Sequence, residues 1–170
     1  KEHKEPLDIK IYHYCLMTNH VHLLISSPNM DNMAKFSQIV QRRYAYYYFA
    51  LYRWVGNVFQ RGYKSLPIDK DTYLLELVRY IHLNPLRAGI VKTADQLKYF
   101  PWTGHGTLLG HKPHKFQSVD DVLLRFSSLK KEAQKRYLNF VKEGVGQGKR
   151  EDLMGGGLLR SLGRKPGEWN

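Results

Sequence analysis

Two pairs of side chains carry the chemistry that spacing alone can suggest: His20 with His22, and Tyr80 with Asn84. Residues 20–26 read as a strand, and alternate residues of a strand project from the same face. The two imidazoles therefore stand side by side, and Val21 is expected to face the other way, into a core. Two neutral imidazoles so placed suit one divalent ion, Mn, Zn, Co or Ni more than Mg. The competing reading is a half-exposed strand face that carries two histidines. Tyr80 and Asn84 are four residues apart, so on a helix they share one face. There they offer a phenolic nucleophile and an oxygen ligand to a shared ion. A tyrosine of ordinary pKa, about 10, needs a nearby cation or base before it attacks at neutral pH. With 12 tyrosines in the chain, an amphipathic tyrosine at a core boundary is the competing reading.

These residues need a scaffold. Residues 8–17 alternate β-branched and aromatic side chains (Ile9, Ile11, Tyr12, Tyr14) and read as a first strand. Thr18-Asn19 reads as the tight turn of a hairpin, with Asn19 able to adopt a positive φ. Ser27-Pro28-Asn29 ends the second strand. A long helix is expected from a cap at Asp31 or Asn32 to about Val55, with Met33, Phe36, Ile39 and Val40 as its core face and Gly56-Asn57 as its stop. Residues 58–68 read as a further strand rich in Arg and Lys. The Tyr80 helix is expected from a cap at Asp69 or Asp71 to Asn84, stopped by Pro85. Its buried stripe is Leu74, Leu77, Val78 and Ile81, with Tyr73 sharing the edge of Tyr80 and His82 pointing away. Residues 86–91 read as a connector or short strand, 98–110 as a loop, 120–143 as one or two helices, and 144–170 as a Gly-rich basic tail.

The chain has 170 residues, 42% of them apolar, enough for one ordinary domain with a core. No apolar run approaches the roughly 20 residues that span a bilayer, and residues 1–10 lack the apolar centre of a signal peptide. One cysteine, Cys15, excludes an internal disulfide framework and a multi-cysteine zinc site. The expected setting is the reducing cytoplasm, in association with the nucleoid. The balance is basic, with 27 Lys+Arg against 15 Asp+Glu and a net charge of +12. That sign and size favour nucleic acid over a membrane surface. Arg42, Arg43 and Arg53 lie among Tyr44, Tyr46, Tyr47, Tyr48, Phe49, Tyr52 and Trp54, a mixture that suits phosphate contact with base stacking. Packing against a sheet is the other use for such rings. About two-thirds of them are expected in the core, with the arginines exposed. Arg61, Lys64, Arg79, Arg87, Lys112 and Lys115 are further candidates for phosphate contact.

The stretches YCLMTNHVHLLI (14–25), VFQRGYKS (58–65), RYIHLNPLRAGIV (79–91) and YFPWTG (99–104) occur in this order. Together they resemble the REP-associated tyrosine transposases, a branch of the HUH single-strand transposases. The resemblance spans roughly residues 8–110. It implies an α+β fold, a small antiparallel sheet with helices packed mainly on one face, ferredoxin-like or RRM-like, followed by C-terminal helices. It implies a catalytic domain over residues 1–112 and a helical segment with a Gly-rich basic tail over 113–170. Relatives begin with an extra strand and helix that have no counterpart before residue 8, where residues 1–6 are too short and polar, so an open sheet edge is expected.

The resemblance also assigns roles. His20 and His22 match the metal ligands, Asn84 the polar residue that completes the site, and Tyr80 the nucleophile, with Mg²⁺ or Mn²⁺ as the ion. It implies attack of Tyr80 on a scissile phosphate of single-stranded or hairpin DNA of REP type. A 5′-phosphotyrosine and a free 3′-OH result, and rejoining needs no nucleotide cofactor. Monomers and dimers both occur among relatives. Two alternatives from other classes stand beside this one. The first is a non-catalytic nucleic-acid-binding module. The second is a metal-dependent hydrolase that uses His20 and His22 with water.

Overall fold

The computed structural model describes residues 6–60, 63 and 70–148, with side chains from residue 73 onward in the last stretch. The fold is α+β, a small antiparallel sheet with helices. The chain divides into two compact units, Lys1–Lys10 with Ser26–Ser65, and Ile11–Ile25 with Leu66–Asn170.

The second unit carries the hairpin β1 (Lys10–Leu16) and β2 (Val21–Ser26). The Met17 amide donates to the His20 carbonyl at 2.9 Å and closes the turn. Neither Thr18 nor Asn19 has a positive φ. The left-handed Asn19 expected from sequence is thus not used, and its side chain is engaged with His20 instead. Five consecutive β1 residues, Ile11 to Cys15, are buried. Both faces of β1 are covered, and its outer edge is sealed too. Leu16 N donates to Trp102 O, Gly104 N to Tyr14 O and Ser118 N to Ile11 O, at 2.7–3.1 Å. Gln117 Nε2 adds a bond to Tyr12 O. The hairpin is therefore held in one register by segments about a hundred residues away, because a slip would break every one of these bonds.

Helix α2 (Lys70–Arg87) presents the expected stripe: Leu74, Leu77, Val78 and Ile81 are all buried. The caps expected at Asp69 or Asp71 lie outside the described side chains. Pro85 does not stop α2, which runs two residues further. Proline cannot donate to the Ile81 carbonyl. The Asn84 side chain does so in its place, with Nδ2 3.3 Å from Ile81 O and 3.0 Å from Tyr80 O. The chain leaves the helix at Gly89, whose φ of 70° suits glycine. Residues 88–93 form a connector and not a strand.

Short helices α3 (Ala94–Leu97), α4 (His105–Leu108) and α5 (Val119–Leu123) and the longer α6 (Lys130–Glu143) complete this unit. The segment 98–110, expected as a loop, is packed: Thr103 to Leu108 are all buried. Glycine makes that possible. A Cβ on Gly106 would fall 2.9 Å from Lys98 O, and one on Gly104 would meet the Gln117 side chain. The helices expected within 120–143 are α5 and α6. A core of Leu74, Val78, Leu83, Leu97, Leu108, Val122 and Tyr137 ties the helices to the hairpin. At its centre lie three wholly buried histidines, His13, His82 and His105.

The other unit is built on α1 (Met30–Tyr52). Its cap is Asn29, whose side chain accepts from Asn32 N, and not Asp31 or Asn32. It stops at Arg53, which takes the left-handed conformation with φ 52°, three residues before Gly56. Phe36 is buried, whereas Val40, expected on the core face, is exposed. Residues 58–60 and 63 are not in a strand. The rest of the strand expected over 58–68 falls outside the described residues.

Candidate active site

β2 places His20 just before its first residue and His22 within it. The two Nε2 atoms approach to 3.0 Å, with the rings edge to face. Asn19 Oδ1 lies 2.8 Å from His20 Nδ1. A neutral His20 that donates Nδ1–H to this oxygen turns the Nε2 lone pair toward His22, the usual way a neighbour fixes a ligand's tautomer. Asn19 is a functional candidate that spacing did not single out. Its signal lay in its position next to the histidine pair. Burial, with His20 beside it, pushes the His22 pKa down to about 4. His22 is thus neutral and able to act as a ligand across the physiological range.

Val21 does not face a core, because it is 48% exposed, and Leu23 on the same face is exposed as well. The pairing of the imidazoles survives because it depends on the strand's alternation and not on what lies behind.

Tyr80 is half-buried, and its ring centroid stands 6.4 Å from that of His22, edge to face. Burial raises the phenol's pKa, and the nearby Arg87 guanidinium opposes the rise. That guanidinium sits 5.2 Å from the Tyr80 ring centre and donates to the Tyr80 carbonyl at 3.3 Å. Asn84 lies one turn on, with its Nδ2 committed to the helix backbone. Its Oδ1 is the atom left to act as a ligand. Two Nε2 atoms 3.0 Å apart can share one ion at ligand distances of about 2.1 Å. Among the described residues no three His, Cys, Asp or Glu side chains converge as a ready metal site. An ion here would rest on two imidazoles and on oxygen donors from Asn84 and the substrate. Cys15 offers no rival nucleophile, since it is buried and its thiol is pushed up to about 12.

Not every candidate for phosphate contact reaches solvent. Arg79 is turned inward and only 7% exposed. It forms a two-pronged pair with Glu76 at 2.6 and 2.7 Å and donates to Phe140 O, with its guanidinium 4.1 Å from the Phe140 ring centre. It clamps α2 to α6, and the expectation of phosphate contact is corrected to a structural role. Arg42, Arg43 and Arg53 are exposed on the other unit, and Lys112 and Lys115 are exposed as well; Arg87 is half-buried beside Tyr80. Arg61 and Lys64 lie outside the described residues.

Residues 1–84 match the family model described as "Transposase IS200 like". The match covers just under half of the chain and takes in His20, His22, Tyr80 and Asn84. It supports an IS200-like transposase, a DNA-processing protein with DNA as its partner. No curated protein and no solved structure matches the chain. Among the described residues no helix is long and apolar enough to cross a membrane.

Proposed function

We propose that this protein is an IS200-like transposase, a metal-dependent, single-tyrosine strand transferase that acts on single-stranded DNA, with REP-type hairpins as substrate. One observation carries the reading: the Nε2 atoms of His20 and His22 meet at 3.0 Å beside the Tyr80 ring, on a hairpin locked in register. His20, His22 and the Asn84 amide oxygen would hold Mg²⁺ or Mn²⁺, which draws electron density from the scissile phosphate when bound. Asn19 fixes the tautomer of His20. Arg87 favours the phenolate of Tyr80 against the effect of burial. Tyr80 Oη forms a bond to phosphorus, the P–O3′ bond breaks, and the leaving oxygen takes a proton to become a 3′-OH. The phenol proton passes to solvent. A 3′-OH then attacks the phosphotyrosine, restores the phosphodiester and releases Tyr80. The bond energy is kept in the covalent link, so no nucleotide cofactor is needed.

The test is a denaturing gel of the protein with 5′- and 3′-labelled hairpin DNA and Mn²⁺. The expected result is a DNA–protein adduct that survives SDS, requires metal, and is lost in Tyr80→Phe and His22→Ala. Binding to several hairpins without an adduct on any of them would replace this reading with a DNA-binding module. Cleavage that persists in Tyr80→Phe would indicate a hydrolase using water.

A further inference from the structure

Helix α1 carries a surface that the chemistry at Tyr80 does not use. From Arg42 to Tyr52 no side chain is buried. Tyr44, Tyr46, Tyr47, Leu51 and Tyr52 are exposed, Tyr46 by 67%, and Trp54 just beyond the helix is exposed as well. The rings are ordered among themselves. Tyr44, Tyr48 and Tyr52 recur every four residues, with ring centroids 6.1 and 4.6 Å apart. Trp54 and Phe59 extend this ladder at 6.2 Å from Tyr48 and 5.6 Å from Tyr44. Soluble proteins seldom leave so many large rings in water without a use.

Charge identifies the partner. Between Asp31 and Asp69 the chain has six cationic residues, Lys35, Arg42, Arg43, Arg53, Arg61 and Lys64, and no Asp or Glu. A second copy brought against this face would present the same excess of positive charge, which disfavours self-association. A partner that supplies flat faces to stack on rings, and one negative charge per ring-sized unit, satisfies both features. Unpaired nucleotides do so, since base–aromatic stacking tolerates any sequence and arginines neutralise the backbone. Duplex DNA hides its base faces and leaves the rings unused.

We infer that the aromatic ladder of α1, Tyr44–Tyr48–Tyr52 with the exposed Tyr47 and Trp54, is a stacking platform for unpaired DNA, flanked by Arg42, Arg43 and Arg53. The choice of DNA rests on the function proposed above, but the surface does not depend on Tyr80 chemistry. The test therefore uses the full chain carrying Tyr80→Phe, without metal, so that loss of cleavage cannot be mistaken for loss of this site. Fluorescence anisotropy would follow a labelled oligothymidylate and a duplex of equal length, over a range of salt. Tyr47→Ser with Tyr52→Ser removes two exposed rings and is expected to weaken single-strand binding roughly tenfold or more, with the salt slope kept. Arg42→Gln with Arg43→Gln is expected to reduce the single-strand salt slope by about 1.4. Circular dichroism melts would confirm that the variants stay folded. Single-strand binding unchanged by loss of the rings, or duplex bound as tightly as oligothymidylate, would overturn the inference. So would a dimer in sedimentation that becomes a monomer on Tyr47→Ser with Tyr52→Ser.

Discussion

Asn19 illustrates how the neighbours of the two histidines would set the metal site proposed above. A histidine has two nitrogens, and the one that accepts an ion must be the one without a proton. Asn19 Oδ1 lies 2.8 Å from His20 Nδ1, where it would accept from an Nδ1–H tautomer, and Nε2 lies 3.0 Å from His22 Nε2. Asn19 is exposed and makes no core contact, so its removal should act on the ion and not on the fold. Asn19→Ala is expected to weaken Mn²⁺ binding by roughly tenfold or more, with an unchanged melting temperature. Calorimetric titration with Mn²⁺ checks this, and equal affinity in both proteins would mean that His20 needs no such help. Asn84 has the opposite character, because its amide nitrogen does structural work for Pro85 while its oxygen remains for chemistry. The same side chain answers both demands, which is why spacing alone could find Asn84 but could not tell what its nitrogen does.

At the scale of elements, α2 is positioned by its buried stripe and by the Arg79 clamp. Arg79 joins Glu76, the Phe140 carbonyl and the Phe140 ring, and Gly144 leaves room for it, since a Cβ there would fall 2.6 Å from Arg79 Cδ. Arg79→Met removes one charged partner of Glu76 and should cost about 2–3 kcal/mol, discounted because Glu76 is partly in water. A lower urea midpoint with an unchanged salt slope of DNA binding is expected. A reduced salt slope with normal stability would return Arg79 to the phosphate contacts. The α2 stripe was legible in the sequence because a period of 3.6 residues is a local property of the chain. So were the hairpin and the helices within 120–143. The end of α2 was not, because the rule that proline stops a helix assumes that nothing replaces the lost donor, and Asn84 does. Segment 98–110 was misread for another reason. Its glycines look like loop residues until the fold brings the Lys98 carbonyl of the same segment and the Gln117 side chain just beyond it against them. The exposed rings of α1 belong with these cases, since sequence shows that a ring is present and only packing shows which side of it meets water.

The whole of the larger unit converges on a feature that no spacing announces. His13 comes from β1, His82 from α2 and His105 from α4, while Tyr137 of α6 lies 2.9 Å from His105 Nδ1. The ring centroids of His13 and His82 are 5.5 Å apart, and those of His82 and His105 are 3.5 Å apart. Five of the six imidazole nitrogens in this cluster have no protein hydrogen-bond partner. A proton added to any of the three rings would place charge in a fully buried site, with two other imidazoles beside it. Burial accordingly pushes His13 down to about 3, and burial with the neighbouring histidines holds His82 and His105 well below the usual range. The consequence for stability has a definite sign. In the unfolded chain each histidine takes up a proton near its ordinary pKa of about 6.5. The folded chain does not, so the unfolded state binds more protons and stability falls as pH drops. Stability contributed by the neutral cluster is complete above about pH 7. It is lost progressively from pH 6.5 downward, by up to about 1.4 kcal/mol per pH unit for each histidine that still refuses its proton. Melting temperatures are expected to be level between pH 7 and 8 and to fall steeply from 6.5 to 5. His13→Leu removes one of the three contributions and should flatten that fall, whatever it does to stability at pH 8. The slope between pH 6.5 and 5 is therefore the quantity to compare, because a mere packing defect would shift the whole curve and leave its slope alone. An equal slope in both proteins would show that His13 is charged, or reaches water, in the native state.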